Sequence, residues 1–254
     1  MRYVFFRYNP HTSYPEEPAF FILDHIGYAA IQLDLFQRIP ANRVFYRGRM
    51  HQCKDDQFTE ETLCSPPSEV AQASRMSAEG ISVFYAANDI KTTIAEIYRS
   101  NYPYATVAQF KNLRELLLLD LTRISDLCVP SLFDSENRSM REPIKFLRSL
   151  NADLIKPIES LKRIEYIPAQ IVTEYFRFLF TLKGERLDGI AYSSSKSKDG
   201  ICYVLFFDHE QCLPSIPSEL FYNKHKREIR MNPNSVYTYS VWNDIRSKQI
   251  NPTK

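Results

Sequence analysis

The sequence predicts an α+β protein, because helix-like and strand-like stretches are mixed without the regular strand–helix–strand order of a doubly wound sheet. Apolar residues make up 44% of the 254 residues and aromatic residues 13%, which indicates a packed globule rather than a disordered chain. Glycine is scarce: of six glycines, four lie in two polar segments. Glycine is typical of positions where the backbone needs a positive φ or approaches another group closely.

The individual elements follow from hydrophobic periodicity. Apolar residues three and four positions apart predict a long N-terminal helix that ends at Pro40. β-Branched and aromatic residues predict the strands, and Asn88 or Asp89 can cap the helix after the second strand. The last helix starts near Pro168 and stops at Gly184. The predicted helices are 18–39, 90–99, 141–155 and 168–183, and the predicted strands are 44–49, 81–87, 105–110, 116–121, 190–192 and 201–207.

The charge balance argues against nucleic acid as the main partner. The chain has 32 basic and 30 acidic residues, a net charge of +2, so an anionic ligand needs a local basic pocket. The five cysteines form no disulfide framework and predict reduced thiols in a cytoplasmic protein. No stretch reaches about 18 apolar residues and the N-terminus lacks a secretory signal, so no membrane partner is expected.

Several common kinds of site are disfavoured. His51 with Cys53 and Cys64, or His209 with Cys212, could be combined into a zinc site, but their spacing matches no standard ligand pattern, and no metal is expected. The chain has no Gly-x-Gly-x-x-Gly or P-loop motif, which argues against redox Rossmann and P-loop enzymes. The serine run also lacks the Gly-x-Ser-x-Gly motif of a nucleophile.

Three arginines are candidates for binding an anion. Arg47 and Arg49 lie two apart on a predicted strand and therefore project to one face. They form either an exposed, salt-bridged edge or a fork for phosphate, which the planar guanidinium suits because it donates parallel hydrogen bonds. Arg75 lies in a polar segment and is either simply solvated or a second phosphate ligand.

Other candidates also have two interpretations. Glu96 lies toward the polar side of its helix, where a glutamate is usually a surface residue. Tyr85 lies on a strand, where a tyrosine more often belongs to the core than to a binding platform. The polar run 193–198 is typical of a flexible loop, in which we expect Ser197 to be exposed.

The order of these residues resembles the RES domain family over roughly residues 42–208. That family carries a Tyr-Arg strand end, a Gly-Arg-aromatic-Asn loop, a Gly-x-x-(Val/Leu)-Tyr strand, a helix with a catalytic glutamate and a late Gly-(Ile/Leu)-x-Tyr-Pro-Ser motif. The chain departs from this pattern at Ser74 in place of glycine, at Met76-Ser77 in place of aromatic-Asn and at Ser193 in place of proline. The matching residues are Tyr46-Arg47, Arg75, 80–85, Ala95-Glu96 and Gly-Ile-Ala-Tyr-Ser-Ser at 189–194.

The resemblance implies an ADP-ribosyltransferase-like fold of split antiparallel sheets with flanking helices. We expect an N-terminal helical extension over 1–41, a RES-like catalytic domain over 42–212 and a C-terminal extension over 213–254 that packs on it. The implied function is a toxin that cleaves the nicotinamide–ribose bond of NAD by phosphorolysis or hydrolysis, in a toxin–antitoxin or phage-defence pair. Alternatives are an ADP-ribosyltransferase acting on a protein and a non-catalytic interaction protein. The implied partners are NAD, inorganic phosphate and an antitoxin or immunity protein.

The residue types suit this chemistry. Breaking the nicotinamide–ribose bond passes through an oxocarbenium-like state that a carboxylate stabilises, and the cationic leaving group needs no general acid. NAD is then the substrate, and no cofactor is expected. The resemblance implies catalytic roles for Glu96, Arg47 and Ser194, and substrate-binding roles for Arg75, Tyr85, Tyr46 and Arg49.

Overall fold

The computed structural model describes residues 19–155, 163–213 and 227–241. Short 3₁₀ and π turns connect several of the elements. The helices are α1 (Ala19–Gln32), α2 (Glu60–Leu63), α3 (Ile90–Ile97), α4 (Arg141–Ile155), α5 (Ile167–Glu174) and α6 (His209–Cys212). The strands are β1 (Phe36–Ile39), β2 (Val44–His51), β3 (Phe84–Ala87), β4 (Tyr104–Asn112), β5 (Leu116–Asp120), β6 (Thr181–Leu182), β7 (Glu185–Arg186), β8 (Gly189–Ser193), β9 (Ile201–Leu205), β10 (Ile229–Met231) and β11 (Tyr237–Ser240).

The main sheet has the strand order β1-β5-β8-β9-β3-β2-β4-β10, and β11 pairs with β4. Neighbouring strands in this sheet are antiparallel, except that β5 and β8 are parallel. β2 and β4 pair along the whole of β2, whereas β2 and β3 share one residue pair, Tyr46 with Ala87. The α+β class is confirmed. The halves of the expected split sheet meet at this single pair, so the described strands follow one continuous path.

The long helix predicted over 18–39 is wrong beyond Gln32. Asp34 has a φ of 51°, and the amide of Leu35 bonds to the carbonyl of Ala30 while that of Asp34 bonds to Ile31. This pattern is a Schellman C-cap, which ends a helix in the left-handed conformation. The following residues form β1, which pairs with β5. Phe36 and Ile39 keep the three-residue spacing of a helix, so the pairing with β5, and not the apolar pattern, selects the strand.

The helix predicted over 168–183 also ends early. α5 stops at Glu174 and is followed by a π-helical turn over Tyr175–Leu179. Lys183 and Gly184 then have φ values of 52° and 84°, as in the two-residue turn of a hairpin between β6 and β7. Gly184 therefore closes a hairpin rather than a helix.

Two apolar cores lie on opposite faces of the sheet. Leu117 and Leu119 of β5 pack in the core that α1, α4 and α5 cover, whereas Leu116 and Leu118 pack in the core near α2 and α6. This alternation is that of a strand buried on both faces. The helix predicted over 141–155 and the strands predicted over 105–110, 116–121, 190–192 and 201–207 are present with small changes in their bounds.

The C-terminal region contributes to the sheet where the structure describes it. β10 and β11 both pair with β4, on the side away from β2. The rest of the expected extension, 214–226 and 242–254, lies outside the described residues, as do residues 1–18 of the expected N-terminal extension. Within the described part of the chain, no helix is both long enough and apolar enough to span a membrane.

Candidate functional site

A cavity of about 720 Å³ lies at the junction of β2 and β3, between α3 and the segment that connects the two strands. Its described lining contains one carboxylate, that of Glu96, and four arginines. Six of the seven predicted site residues line it, and the seventh, Ser194, contacts Glu96. The six lining residues are Tyr46, Arg47, Arg49, Arg75, Tyr85 and Glu96.

The helix α3 carries Glu96 in its last turn and packs closely on β2. The helix begins where the Asp89 side chain accepts a hydrogen bond from the Thr92 amide at 2.7 Å, as its sequence predicts. A Cβ atom at Gly48 of β2 would lie 2.7 Å from the Thr106 carbonyl oxygen and 3.1 Å from Ile97 Cδ1. Glycine at this position therefore permits the close approach that places Glu96 beside the strand.

Glu96 is held by the loop after β8. The Ser194 hydroxyl donates to Glu96 Oε1 at 2.5 Å, and the same hydroxyl oxygen accepts from the amides of Lys196 and Ser197, both at 3.1 Å. A serine hydroxyl has one proton and two acceptor positions, so all three are used. In this structure Ser194 orients the carboxylate of Glu96. A direct hydrogen bond between the Ser194 hydroxyl and a substrate oxygen would require this arrangement to change.

Two further residues border Glu96 that were not predicted as site residues. Tyr192 and Cys202 pair across β8 and β9, and both line the cavity. Burial raises the pKa of the Cys202 thiol, and the charge of Glu96 raises it further. Burial also raises the pKa of Tyr192 well above its usual value. Both groups therefore stay protonated near neutral pH. Tyr192 lies in the late motif, but no motif marks Cys202.

The side chain of Arg47 is hydrogen-bonded to backbone carbonyls of the same chain. Its guanidinium donates to the carbonyl oxygens of Leu63 at 2.6 Å, Tyr85 at 2.7 Å and Cys64 at 3.1 Å, and it lies 5.0 Å from the centroid of the Phe84 ring. Burial lowers its pKa to about 10, which leaves it charged at neutral pH. Three of its five N–H groups are used in this way. Arg47 is therefore not part of an exposed, salt-bridged edge, because it is partly buried and its partners are backbone carbonyls.

Arg49 has the opposite surroundings. It is exposed, and it makes no hydrogen bond or ion pair with any other residue that the structure describes. Arg99, two residues after α3, lines the same cavity and donates to the carbonyl of Tyr98 at 2.9 Å. An anion entering the cavity would therefore meet Arg49 as a cation that no described residue binds.

The family model of the RES domain matches residues 45–228, well over half of the chain. The chain belongs to the RES domain family. The resemblance predicted from the motifs is confirmed. No curated protein and no solved structure matches the chain.

In this RES domain the loop that departs from the family pattern has its own hydrogen bonds. Ser74 Oγ lies 2.6 Å from the Tyr85 hydroxyl and 2.8 Å from Ser77 Oγ, and the Ser74 amide donates to the Ser77 carbonyl at 2.8 Å. Arg75 between them is half-buried at the cavity, rather than a solvated loop residue. Burial raises the pKa of Tyr85, so its hydroxyl remains protonated. Tyr85 thus joins β3 to the loop.

Several of the cysteines and histidines that the sequence offered for a zinc site make other contacts in this RES domain. His51 Nδ1 lies 2.7 Å from the Cys53 carbonyl, and Cys64 Sγ lies 3.3 Å from His209 Nδ1. Hydrogen bonds from the Cys64 thiol and from Ser65 lower the pKa of the buried Cys212 thiol to about 7. Among the residues described, no group of three His, Cys, Asp or Glu side chains is placed to hold a metal ion.

Proposed function

We propose that this RES domain cleaves the nicotinamide–ribose bond of NAD, with water or inorganic phosphate as the acceptor. The observation that carries the proposal is the hydrogen bond from Ser194 to Glu96, which fixes one carboxylate in a cavity whose described charged lining is otherwise four arginines. A single fixed anion among cations suits a substrate that carries phosphates at one end and develops positive charge at the other.

The chemistry needs little from the protein beyond charge and position. When the bond between ribose C1′ and the nicotinamide nitrogen breaks, its electron pair stays on the nitrogen and neutralises the pyridinium. Positive charge then develops on C1′ and the ring oxygen, and the carboxylate of Glu96 stabilises it. Water or phosphate then adds to C1′. Water yields ADP-ribose and releases a proton, whereas phosphate yields the 1″-phosphate of ADP-ribose.

The cavity suits a dinucleotide in size and charge. Its volume of about 720 Å³ lies in the range typical of small-molecule sites. In this proposal Arg49 and Arg75, which line the cavity, bind the diphosphate, while Arg47 supports the cavity wall through its bonds to three backbone carbonyls. Tyr85 and Tyr46 provide aromatic surface for the nicotinamide and the ribose.

The cellular role that fits this activity is that of a cytoplasmic toxin. An enzyme that consumes NAD without regenerating it stops growth, so we propose an antitoxin or immunity protein that blocks the cavity until the toxin is released. The proposal requires no cofactor, because NAD is the substrate.

The deciding experiment is incubation of the purified chain with NAD, with and without inorganic phosphate, followed by mass analysis of the products. We expect free nicotinamide in both, with ADP-ribose or its 1″-phosphate identifying the acceptor. Label from adenine-labelled NAD that stays bound to a protein would indicate an ADP-ribosyltransferase instead. Intact NAD under all these conditions, with the protein folded, would overturn the proposal.

A further inference from the structure

The side chain of Gln170 contacts the loop that carries Arg75. Gln170 lies on α5, far from β2 and β3 in the sequence, and is 5% exposed. Its Nε2 donates to the carbonyl of Ser74 at 2.6 Å and to that of Ser77 at 3.1 Å. Because both partners are carbonyl oxygens, the atom that faces them must be the amide nitrogen, whose two hydrogens serve both acceptors. Gln170 does not line the cavity.

The loop is fixed at both ends and at its centre. Ser74 and Ser77 bond to each other through backbone and hydroxyl groups, and the side chain of Met76 is buried in the core that α5 covers. The side-chain amide of Gln170 bridges the carbonyl oxygens of Ser74 and Ser77. These contacts leave the side chain of Arg75, between Ser74 and Met76, at the cavity.

We propose that Gln170 is a positioning residue, which fixes the conformation of residues 74–77 and so sets the place of Arg75 in the substrate cavity. The aromatic-Asn pair of the family pattern is absent from this loop, so the fixing contacts come from Ser74, Ser77 and α5. The expected change in KM rests on the proposed function, in which Arg75 binds the diphosphate of NAD. The effect on the loop itself does not depend on that function.

The test compares Gln170→Met, which keeps the length of the side chain and removes both donors, with Thr173→Val on the same helix. Thr173 is buried, and its hydroxyl bonds to the Ala169 carbonyl within α5, so its loss perturbs the helix but not the loop. We expect Gln170→Met to raise KM for NAD roughly tenfold with a smaller change in kcat, and Thr173→Val to leave KM unchanged. An unchanged KM in Gln170→Met would overturn the proposal.

A second comparison separates positioning from general destabilisation. If Gln170 acts through Arg75, then Gln170→Met should raise KM no further when Arg75→Ala is already present. Additive effects on KM in the double variant would show that Gln170 does not act through Arg75.

A further variant, Gln170→Glu, cannot donate a hydrogen bond as a carboxylate but regains one donor when it is protonated. Its KM should therefore fall toward that of the parent protein as the pH is lowered, and a KM with the parent's pH dependence would contradict the proposal.

Amide hydrogen exchange provides a readout that needs no NAD cleavage. We expect Gln170→Met to speed exchange of the Ser74 and Ser77 amides at least tenfold relative to amides of β4, and Thr173→Val to leave this ratio unchanged. If the parent protein does not cleave NAD but this ratio changes, the proposed function fails while the fixing of the loop stands. If NAD is cleaved and neither exchange nor KM responds, the function stands and the role of Gln170 is refuted.

Discussion

Arg47 and Arg49 show how two identical residues, two positions apart on one strand, differ in what they contact. The sequence places both on the same face of β2, where they form either an exposed edge or a fork for phosphate. In the structure Arg47 bonds to three backbone carbonyls, whereas Arg49 is exposed and uncommitted among the described residues. The sequence could not distinguish them, because the carbonyls that bind Arg47 belong to two segments further along the chain, 63–64 and β3.

Arg47→Lys tests the supporting role. A single ammonium group cannot reach carbonyls of both Tyr85 and the Leu63–Cys64 segment with the geometry of a guanidinium. We expect the free energy of unfolding, measured by urea denaturation, to fall by about 2 kcal/mol. Arg49→Lys is the matched control and should unfold at the parent's urea concentration. Equal unfolding midpoints for the two variants would mean that Arg47 does not support the fold.

Arg49→Ala tests the binding role. Because Arg49 makes no bond that the described structure would lose, its removal should change the free energy of unfolding by less than about 0.5 kcal/mol. We expect KM for NAD to rise roughly tenfold at low ionic strength, and the difference to shrink as salt screens the site. An unchanged KM at low salt would exclude Arg49 from the substrate site.

Glu96→Gln tests the proposed chemistry. The substitution keeps the volume of the side chain, and its amide oxygen can still accept from the Ser194 hydroxyl, so we expect the fold to persist. Without the negative charge, kcat for NAD cleavage should fall on the order of a hundredfold. The same variant should not lower cellular NAD when expressed. Parent-like turnover by Glu96→Gln would assign the catalysis to another group.

At the scale of elements, the loop after β8 is more ordered than its composition predicts. The expectation that Ser197 is exposed is wrong: Ser197 is 8% exposed, and its hydroxyl lies 3.1 Å from that of Thr92 at the start of α3. The Ser194 amide also bonds to the Gly200 carbonyl, which closes the loop. The loop therefore packs on the first turn of α3, and the last turn of that helix carries Glu96.

Three serine variants in this loop should behave differently. Ser194→Ala removes the donor to Glu96 and should lower kcat, whereas Ser195→Ala removes an exposed hydroxyl and should change nothing. Ser197→Ala should lower the free energy of unfolding by about 1 kcal/mol, because the Thr92 contact is lost. Turnover and urea denaturation of all three variants provide the comparison. Identical turnover by the Ser194 and Ser195 variants would remove Ser194 from the site.

The sequence predicted elements well where periodicity alone decided the element and poorly where pairing with a distant strand decided it. The helix over 141–155 and its bounds were predicted because its apolar stripe is regular. The stretch after Gln32 keeps the apolar spacing of a helix, and only its pairing with β5 selects a strand. Short elements such as α2 and β10 carry too few residues to show a pattern. Motif order predicted a site role for Glu96, which lines the cavity, but contacts such as that of Gln170 depend on tertiary packing.

At the scale of the whole molecule, a buried pair of cysteines links segments 148 positions apart in the chain, 64 and 212. The pKa of Cys212 in the folded protein, about 7, lies below the ordinary thiol value of 9.0. A thiol whose pKa is lower in the folded than in the unfolded protein stabilises the fold. This stabilisation is complete when the pH is above the pKa of the unfolded state, and it is lost as the pH falls through the pKa of the folded state. Hydrogen bonding to Cys212, together with burial, raises the pKa of Cys64 in turn, so Cys64 stays protonated across this range.

Cys212→Ala should therefore change how stability depends on pH. In reducing buffer, the difference in free energy of unfolding between the parent and Cys212→Ala should grow from pH 6.5 to pH 8.5. The gain should be on the order of 1 kcal/mol, because one pKa unit corresponds to about 1.4 kcal/mol. Cys53→Ala, which removes an exposed thiol, is the control and should show a flat difference. A flat difference for Cys212→Ala as well would mean that the Cys212 thiol titrates normally.

The narrow contact between β2 and β3 gives the cavity a mechanical role. The backbone joins the two halves of the sheet there by one residue pair, and the Arg47 side chain adds a bond to the carbonyl of Tyr85. A ligand that touches both strands adds a third connection across the same gap. Ligand binding and the stability of the contact between β2 and β3 are then thermodynamically linked: a bound ligand stabilises the contact, and an intact contact favours binding. If the proposed function is correct, the protein with NAD in the cavity should therefore be stiffer across the β2–β3 contact than the free protein.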